Sequence, residues 1–250
     1  MRIDYGFDAI AKGVRSVVTI GSFDGVHRGH RVLLSAVKRM AESLDAESVV
    51  VTFDPHPRIA MGRAEGMGLL TTIEERALLL EREGIARMVV ARFDEEFRSQ
   101  SYDVFVREWL VARLGMVGMI VGYNHRLGRG NEGNYESLLP LSKECGFALK
   151  CVDQHLVDGA KISSTVVREV MSQGDMREVE HLLGQRYMIV GDAHAGVVSV
   201  VDEYKLLPVS GLYDAILTYN NISYPAQVEI AGRKVVLQEA IDAIVTIELV

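Results

Sequence analysis

Cysteine is scarce in this sequence, and its scarcity excludes two kinds of protein. Only two cysteines, Cys145 and Cys151, occur among the 250 residues. Two cysteines cannot build a disulfide framework or a cysteine-rich zinc site. Both lie in an apolar stretch, so we expect reduced thiols packed in a core.

Long hydrophobic runs are missing as well. No apolar run approaches the roughly 18 residues that a membrane-spanning helix needs. The first ten residues, MRIDYGFDAI, lack the basic stretch followed by an apolar one that marks a secretory signal. We therefore expect a cytoplasmic protein without a membrane partner.

Positively charged residues are fewer than negatively charged ones. Lys and Arg number 27 against 34 Asp and Glu, which gives a net charge of −7. A general nucleic-acid binder needs a basic face, so this balance argues against a nucleic-acid partner. Apolar residues at 48% and charged residues at 24% are ordinary for a globular protein.

Strands and helices alternate over residues 1–186. SVVTI at 16–20 is typical of a short buried strand, and HRVLLSAVKRMAESL after it places apolar residues at helical spacing. SVVVTF at 48–53 is the next strand, and the alternation continues from there. This order predicts an α/β fold with a doubly wound parallel sheet of the Rossmann-like kind.

The pattern changes near Arg186. Residues 187–250 show little helical periodicity and divide into short strands, which predicts a second, small antiparallel β-barrel-like domain. We therefore expect two domains, 1–186 and 187–250. The valine-rich run VVSVV at 197–201 either supplies an edge for a homo-oligomer or simply fills the barrel.

The segment GSFDGVHRGH, residues 21–30, carries most of the chemistry. It follows the first strand at the edge where open α/β sheets bind ligands, and a helix start there attracts phosphate. His27 and His30 should share one face of the first helical turn, with Gly29 leaving room between them. Two imidazoles can donate hydrogen bonds to a phosphate during group transfer. A capped surface turn is the plain alternative, and a metal site would lack a third ligand.

A second phosphate-binding candidate is ISSTVVRE at 162–169. The hydroxyls of Ser163, Ser164 and Thr165 precede a predicted helix and can either cap it or bind phosphate oxygens. Arg168, one turn further on, can fork onto a phosphate. An ordinary N-cap with an exposed arginine remains the alternative.

Two further loops follow predicted strands. In TFDPHPR at 52–58, two prolines should rigidify the loop and hold His56 and Arg58 in place for ligand binding. The alternative is a stiff loop that ends the strand and has no role in binding. In VGYNHRLGRGNEG at 121–133, Asn124 and two arginines stand among glycines.

Taken together, these segments resemble the bacterial riboflavin kinase/FAD synthetase family of HxGH nucleotidyltransferases. The resemblance covers nearly all of residues 15–190 and keeps the family's motif order. It implies transfer of AMP from ATP to FMN, with Mg²⁺ as cofactor and release of pyrophosphate. The stretches that carry it are GSFDGVHRGH, VVVTFDPHPR, LLTTIEERALLL, VGYNHRLGRGNEG and ISSTVVRE.

The resemblance also implies three groups of site residues, with no protein metal ligand assigned. The catalytic group is His27, His30 and Arg168. The ATP-binding group is Gly21, Ser22, Phe23, Asp24, Gly25, His27, Gly29, His30, Asn124, Ser163, Ser164, Thr165 and Arg168. The flavin-binding group is Phe53, Asp54, Pro55, His56, Pro57, Arg58, Tyr123, Asn124, His125 and Arg126.

Three positions depart from the family pattern. His125 and Leu127 stand where the family usually has aromatic residues, and Asn131 stands where it has a basic one. These departures motivate one alternative, a related transferase acting on another phosphorylated acceptor. A second alternative, motivated by the degenerate C-terminal region, is a non-catalytic flavin- or nucleotide-binding relative.

The C-terminal region lacks the kinase motif of this family. Family members carry a Pro-Thr-Ala-Asn motif whose Thr and Asn serve the phosphates and magnesium. Here LPVSGLY at 207–213 still resembles a later family stretch, but the Pro-Thr-Ala-Asn motif is absent. We therefore predict that riboflavin kinase activity is lost.

Overall fold

The computed structural model describes residues 1–11, 13–200 and 202–250. By packing, the chain divides into two compact units, each drawn from more than one stretch of sequence. Unit 1 comprises Met1–Phe23, Gly29–Glu65 and Ala77–His155, and unit 2 comprises Asp24–Arg28, Gly66–Arg76 and Leu156–Val250. The division after residue 186 stays a prediction.

Unit 1 contains the predicted parallel sheet. Its six strands are hydrogen-bonded in the order β1-β4-β3-β2-β5-β6, and every pair is parallel. The edge strand β1 was not predicted, because its sequence RIDY carries no hydrophobic run. The strands are β1 (Arg2–Tyr5), β2 (Ser16–Ile20), β3 (Glu47–Asp54), β4 (Arg87–Arg92), β5 (Met116–Gly122) and β6 (Ala148–Val152).

Helices cover both faces of this sheet, which confirms the doubly wound arrangement. Val37 and Ala41 pack with Val17 and Ile120 on one face, and Leu138 belongs to the core of the other. The helices that lie wholly or mostly in unit 1 are α1 (Arg28–Ser43), α2 (Pro57–Ala60), α3 (Ile73–Arg82), α4 (Glu95–Ser99), α5 (Tyr102–Val104), a π-helix (Phe105–Arg113) and α6 (Tyr135–Cys145). Two further helices, α7 (Ser164–Ser172) and α8 (Met176–Leu183), belong to unit 2.

Unit 2 contains the predicted barrel, which is closed and has six antiparallel strands in the order β10-β13-β12-β11-β14-β9. Its core is aliphatic and includes Val198, Leu217, Val228 and Ile247. Its strands are β9 (Tyr187–His194), β10 (Val197–Ser199), β11 (Gly211–Tyr219), β12 (Ile222–Ala231), β13 (Lys234–Leu237) and β14 (Ala243–Leu249). A short hairpin precedes α7 and consists of β7 (Leu156–Val157) and β8 (Ala160–Lys161).

Three smaller predictions can now be checked. Cys145 and Cys151 are free thiols, and both are partly buried. Val201, the last residue of the predicted strand VVSVV, lies outside the described residues. Within the ranges that the structure describes, no helix combines the length and the apolar character needed to cross a membrane.

Candidate functional site

The strand order of unit 1 places a ligand-binding crevice at one edge of the sheet. From β2 the chain proceeds to β3 and β4 on one side, and then returns to place β5 on the other side of β2. Open parallel sheets bind ligands beyond the carboxyl ends of the strands at such a reversal. The residues that follow β2 and β5 are Gly21 and Tyr123, so the predicted motifs flank this point.

A cavity of about 490 Å³ lies within unit 1 at this edge. Its volume falls within the range of small-molecule sites in proteins. The carboxyl ends of β2, β3, β4 and β5 all contribute to it. The lining residues are Ile20, Gly21, Ser22, Phe23, His30, Leu33, Phe53, Pro57, Phe93, Phe97, Arg98, Gln100, Phe105, Gly122, Asn124, His125, Arg126, Leu127, Gly128 and Asn131.

An aromatic cluster forms one part of the cavity lining. The rings of Phe53 and Phe93 lie 5.4 Å apart between centroids, and those of Phe97 and Phe105 lie 5.1 Å apart. Phe97 also contacts Phe53 and Phe93, at 5.8 Å in each case. Aromatic residues are only 7% of the chain, and the four rings gathered here suit this cavity to a flat apolar ring.

Polar and cationic side chains form the rest of the lining. Arg98 and Arg126 are exposed, and the Arg98 guanidinium is ion-paired with the exposed carboxylate of Glu95. Burial, aided by the charge of Arg126, lowers the pKa of His125 to about 4. The imidazole of His125 is therefore neutral at pH 7, and its buried Nε2 has no hydrogen-bond partner among the described residues.

One side of this cavity was not predicted from the sequence. Phe93, Phe97, Arg98 and Gln100 follow β4, and Phe105 opens the π-helix. The signal was available, because β4 is a parallel strand whose carboxyl end must meet the same sheet edge as those of β2 and β3. The segment FDEEFRSQ matches no motif, so its sequence alone indicates no functional residue.

His30 lies in the first turn of α1, as predicted, whereas His27 directly precedes the helix. The His30 ring contacts the ring of Phe23 at 5.0 Å between centroids. The backbone between them is left-handed at Phe23 (φ 48°) and Val26 (φ 42°). Positive φ is strained for such residues and concentrates at functional sites.

Burial keeps His27 neutral. Its side chain is almost fully enclosed, and burial lowers its pKa to about 4 although the negative charge of Asp24 opposes that shift. At neutral pH the ring therefore carries one N–H donor and one acceptor nitrogen. Any hydrogen bond that His27 makes to a phosphate comes from an uncharged imidazole.

Asp24 is the centre of a buried cluster in unit 2. Its carboxylate accepts hydrogen bonds from the backbone N–H of Leu70 (3.1 Å) and Thr71 (2.9 Å), and from the Thr71 hydroxyl (3.1 Å). The guanidinium of Arg168 is ion-paired with it. The Ser164 hydroxyl donates to the Asp24 carbonyl oxygen at 2.9 Å.

Arg168 and Ser163 also have partners inside the protein. Arg168 Nε donates to the carbonyl oxygen of Gly68 at 2.6 Å, and Ser163 caps α7 by accepting from the N–H of Val166 at 3.4 Å. Thr165, in contrast, is exposed. The contacts of Ser163, Thr165 and Arg168 with ATP stay predictions. In the structure Ser163 caps α7, which is the alternative interpretation of this residue, and Arg168 forms an ion pair with Asp24.

The remaining predicted residues divide by position. Gly21, Ser22, Phe23, His30, Phe53, Pro57, Asn124, His125 and Arg126 line the cavity. Gly29 lies in the first turn of α1, and Gly25 adopts φ 81° where a Cβ would come within 2.8 Å of the Leu70 side chain. Five described residues of the predicted flavin group are not part of the lining: Asp54, Pro55, His56, Arg58 and Tyr123.

Protein ligands for a metal ion are not clustered here. Among the residues that the structure describes, no three His, Cys, Asp or Glu side chains form a group able to hold one. Mg²⁺ commonly binds through substrate phosphates with few protein ligands.

Comparison with known proteins agrees with the motifs. The model of the FAD synthetase family matches residues 10–166. The bifunctional riboflavin kinase/FMN adenylyltransferase of Haemophilus influenzae is 32% identical over 174 residues, covering 70% of this chain and 56% of that protein. A putative bifunctional riboflavin kinase/FMN adenylyltransferase of Geobacillus thermodenitrificans is 37% identical over 170 residues, covering 68% of this chain and 89% of that protein.

A solved structure shares the fold over almost the whole chain. A crystal structure described as a macrolide-efflux protein from Streptococcus pneumoniae superposes with a TM-score of 0.82 at 22% identity, covering 99% of this chain and 88% of that one. At this identity the likeness concerns the fold alone. The matched region spans little more than half of the Haemophilus influenzae relative. Since the family model covers most of this chain, the chain belongs to the FAD synthetase family.

Proposed function

We propose that this protein is an ATP:FMN adenylyltransferase, which joins AMP from ATP to FMN and releases pyrophosphate. The cavity at the switch point of the sheet is the observation that carries the proposal. The four clustered phenylalanines in its lining, Phe53, Phe93, Phe97 and Phe105, suit a flat ring system, and Arg98 and Arg126 supply positive charge for a phosphate. The family and its FMN adenylyltransferase relatives support this choice of substrates.

The reaction is an in-line displacement at phosphorus. An oxygen of the FMN phosphate forms a bond to the α-phosphorus of ATP, and the bond from that phosphorus to the bridging oxygen of the β-phosphate breaks. Pyrophosphate leaves with the electron pair. Since a phosphate is already nucleophilic at neutral pH, the protein contributes positioning and charge stabilisation rather than a strong base.

The chain offers two kinds of donor for the growing charge. The first turn of α1 presents backbone N–H groups that no helical carbonyl accepts, and a helix N-terminus favours anions. His30 lies in that turn, with its ring orientation limited by the contact with Phe23. We assign His27 and His30 to the triphosphate, with His27 acting as a neutral donor.

A magnesium ion would be held by the phosphates of ATP, because the described residues include no group of three ligands for it. Bound there, it would supply neutralisation of phosphate charge. We also infer that the enzyme lacks riboflavin kinase activity, because the Pro-Thr-Ala-Asn motif is absent from the sequence. A cytoplasmic location and a homo-oligomer stay predictions.

The assignment of His30 is tested by His30→Ala. Removing one preorganised donor from a charged transition state typically lowers kcat by about 100-fold or more, so we expect at least that loss in FAD formation from ATP and FMN. His194→Ala is the matched control, because His194 is exposed on the barrel. Full adenylyl transfer by His30→Ala with unchanged ATP kinetics would show that the assignment is wrong.

A second candidate is transfer to another phosphorylated acceptor. His125, Leu127 and Asn131 are the three departures from the family pattern, and all three line the cavity. Substitutions gathered in one cavity favour a change in the acceptor over random drift. A screen of phosphorylated acceptors, followed by pyrophosphate release, separates the two candidates. Release with FMN as the best acceptor supports the first, and release with a different acceptor supports the second.

A further inference from the structure

Unit 2 contains a completely buried ion pair that the proposed mechanism does not use. Lys205 Nζ lies 2.6 Å from Oε2 of Glu75, and both side chains have no exposed surface. The ammonium also donates to the carbonyl oxygens of Leu70 and Met188, at 2.8 Å each. All three of its protons are therefore used. Burial lowers the pKa of Lys205, while the charge of Glu75 opposes that change.

Both carboxylate oxygens of Glu75 also accept hydrogen bonds. Its Oε1 accepts from the backbone N–H of Val190 and its Oε2 from that of Thr72, both at 2.9 Å. Val190 and Met188 belong to β9 of the barrel. The pair thus binds the barrel to the segment Gly66–Arg76, which contains most of the motif LLTTIEERALLL that the mechanism leaves unassigned.

Backbone contacts strengthen this connection. The N–H of Leu69 donates to the carbonyl oxygen of Tyr204 at 2.6 Å, and the N–H of Leu206 donates to that of Leu69 at 2.7 Å. A Cβ on Gly68 would lie 2.8 Å from Leu206 Cβ. The residues on either side of Lys205 therefore also contact the segment Gly66–Arg76.

Leu70 connects the ion pair to the GSFDGVHRGH loop. Its carbonyl oxygen is held by Lys205, and its N–H donates to the Asp24 carboxylate. Asp24 stands in the loop immediately after Phe23 and three residues before His27. A displacement of Leu70 would therefore move the carboxylate of Asp24, whose charge acts on His27, in the loop that leads into α1.

We propose that Lys205 is a positioning residue for adenylyl transfer, because it fixes through Leu70 and Glu75 the backbone that holds Asp24. The barrel would then be retained for the transferase even though its own kinase motif is missing. Stability alone is a weak explanation for such a pair, since buried ion pairs can often be replaced by uncharged residues without loss of stability. The activity part of this proposal rests on the proposed function.

The test compares Lys205→Met/Glu75→Gln with wild type. Removing both charges avoids leaving one charge buried alone, which strongly destabilises proteins. We expect a folded protein whose kcat/KM for ATP falls roughly tenfold or more, because small misplacements remote from the chemistry have such effects. The KM for FMN should stay within about twofold, and the NMR signal of the His27 ring should shift.

Lys234→Met is the control, because Lys234 is an exposed residue of β13 in the same barrel. It should leave kinetics and the His27 signal unchanged. If the double variant folds with wild-type kinetics and a wild-type His27 signal, the proposal is wrong. If wild type forms no FAD but the His27 signal still shifts, the proposed function fails while the positioning of Asp24 stands.

Hydrogen exchange on the unmodified protein gives a second test that needs no variant. The amides of Leu70 and Thr71 should exchange together with that of Val190, because their acceptors, Asp24 and Glu75, belong to one hydrogen-bonded network. Fast exchange of Leu70 and Thr71 while β9 stays protected would overturn the proposal, even if the double variant fails to fold.

Discussion

At the scale of single residues, the predicted site side chains divide by what they contact. Asp24, Ser164 and Arg168 have partners within the protein. Asn124 and Thr165 are exposed. An enclosed side chain must exchange an existing partner before it can bind a phosphate, whereas an exposed one only gives up water. The exposed residues are therefore the more sensitive probes of ligand contact.

Arg98 lines the cavity, and its proposed role is to bind the phosphate of the acceptor. The variant Arg98→Ala tests this role. Its ion pair with Glu95 is exposed, and such pairs contribute little to stability, so folding should be unchanged. Loss of a charge-assisted hydrogen bond to the acceptor phosphate should raise the KM for FMN by about tenfold. Steady-state kinetics measure this directly.

Arg92→Ala is the matched control for Arg98→Ala. Arg92 is exposed at the end of β4 and is paired with Asp94, but it is not part of the cavity lining. Its removal should leave the KM for FMN unchanged. Equal kinetics for the two variants would contradict the contact between Arg98 and the acceptor.

The pKa of His27 predicts how stability depends on pH. The pKa is about 4 in the folded protein and 6.5 in the unfolded chain, so the unfolded chain binds more protons between these values. This contribution to stability is complete above pH 6.5 and is lost as pH falls toward 4. It amounts to about 3 kcal/mol. Urea unfolding from pH 7 to pH 4 should show a smaller loss for His27→Asn than for wild type, and parallel curves would contradict the assignment.

At the scale of elements, hydrophobic runs predicted the central strands well. SVVTI and SVVVTF became β2 and β3, which are buried almost throughout. The edge strand β1 was missed because its residues, most of them exposed, do not form a hydrophobic run. The predicted helix at 102–114 is present but continues α5 as a π-helix, with the N–H of Leu114 bonded to the Trp109 carbonyl oxygen five residues back.

The candidate site was predictable where a motif follows a strand and unpredictable where it depends on side-chain partners. The strand-end position of GSFDGVHRGH located the cavity residues from Gly21 to Phe23. Nothing in the sequence indicates that Arg168 binds Asp24, which is 144 positions away. Long-range hydrogen bonds of this kind depend on packing, which local periodicity does not contain.

Two residues at the start of α7, Ser163 and Thr165, allow helix capping and ligand binding to be tested separately. Ser163→Ala should destabilise the protein by about 1 kcal/mol, because Ser163 is the N-cap. Thr165→Ala should change stability by less than about 0.5 kcal/mol, as expected for an exposed position. If Thr165 contacts ATP as predicted, its variant should nevertheless bind ATP several-fold more weakly by calorimetry. Unchanged ATP affinity in Thr165→Ala would limit this segment to a structural role.

At the scale of the whole molecule, the chain combines a nucleotidyltransferase-like sheet with a barrel that has no kinase motif. The barrel is closed and well packed, so the missing motif does not reflect a failure to fold. The positioning role that we propose for Lys205 would give the barrel a function in adenylyl transfer. Such a role would account for a barrel that is kept without the Pro-Thr-Ala-Asn motif.

The most direct test of the account is a pair of flavin chromatograms. The purified protein is incubated with ATP and Mg²⁺, with FMN in one tube and riboflavin in the other. The account predicts FAD from FMN and no phosphorylated product from riboflavin. FMN formed from riboflavin at a steady rate would contradict the loss of kinase activity. No FAD from FMN, with ATP still bound by calorimetry, would contradict the proposed adenylyl transfer to FMN.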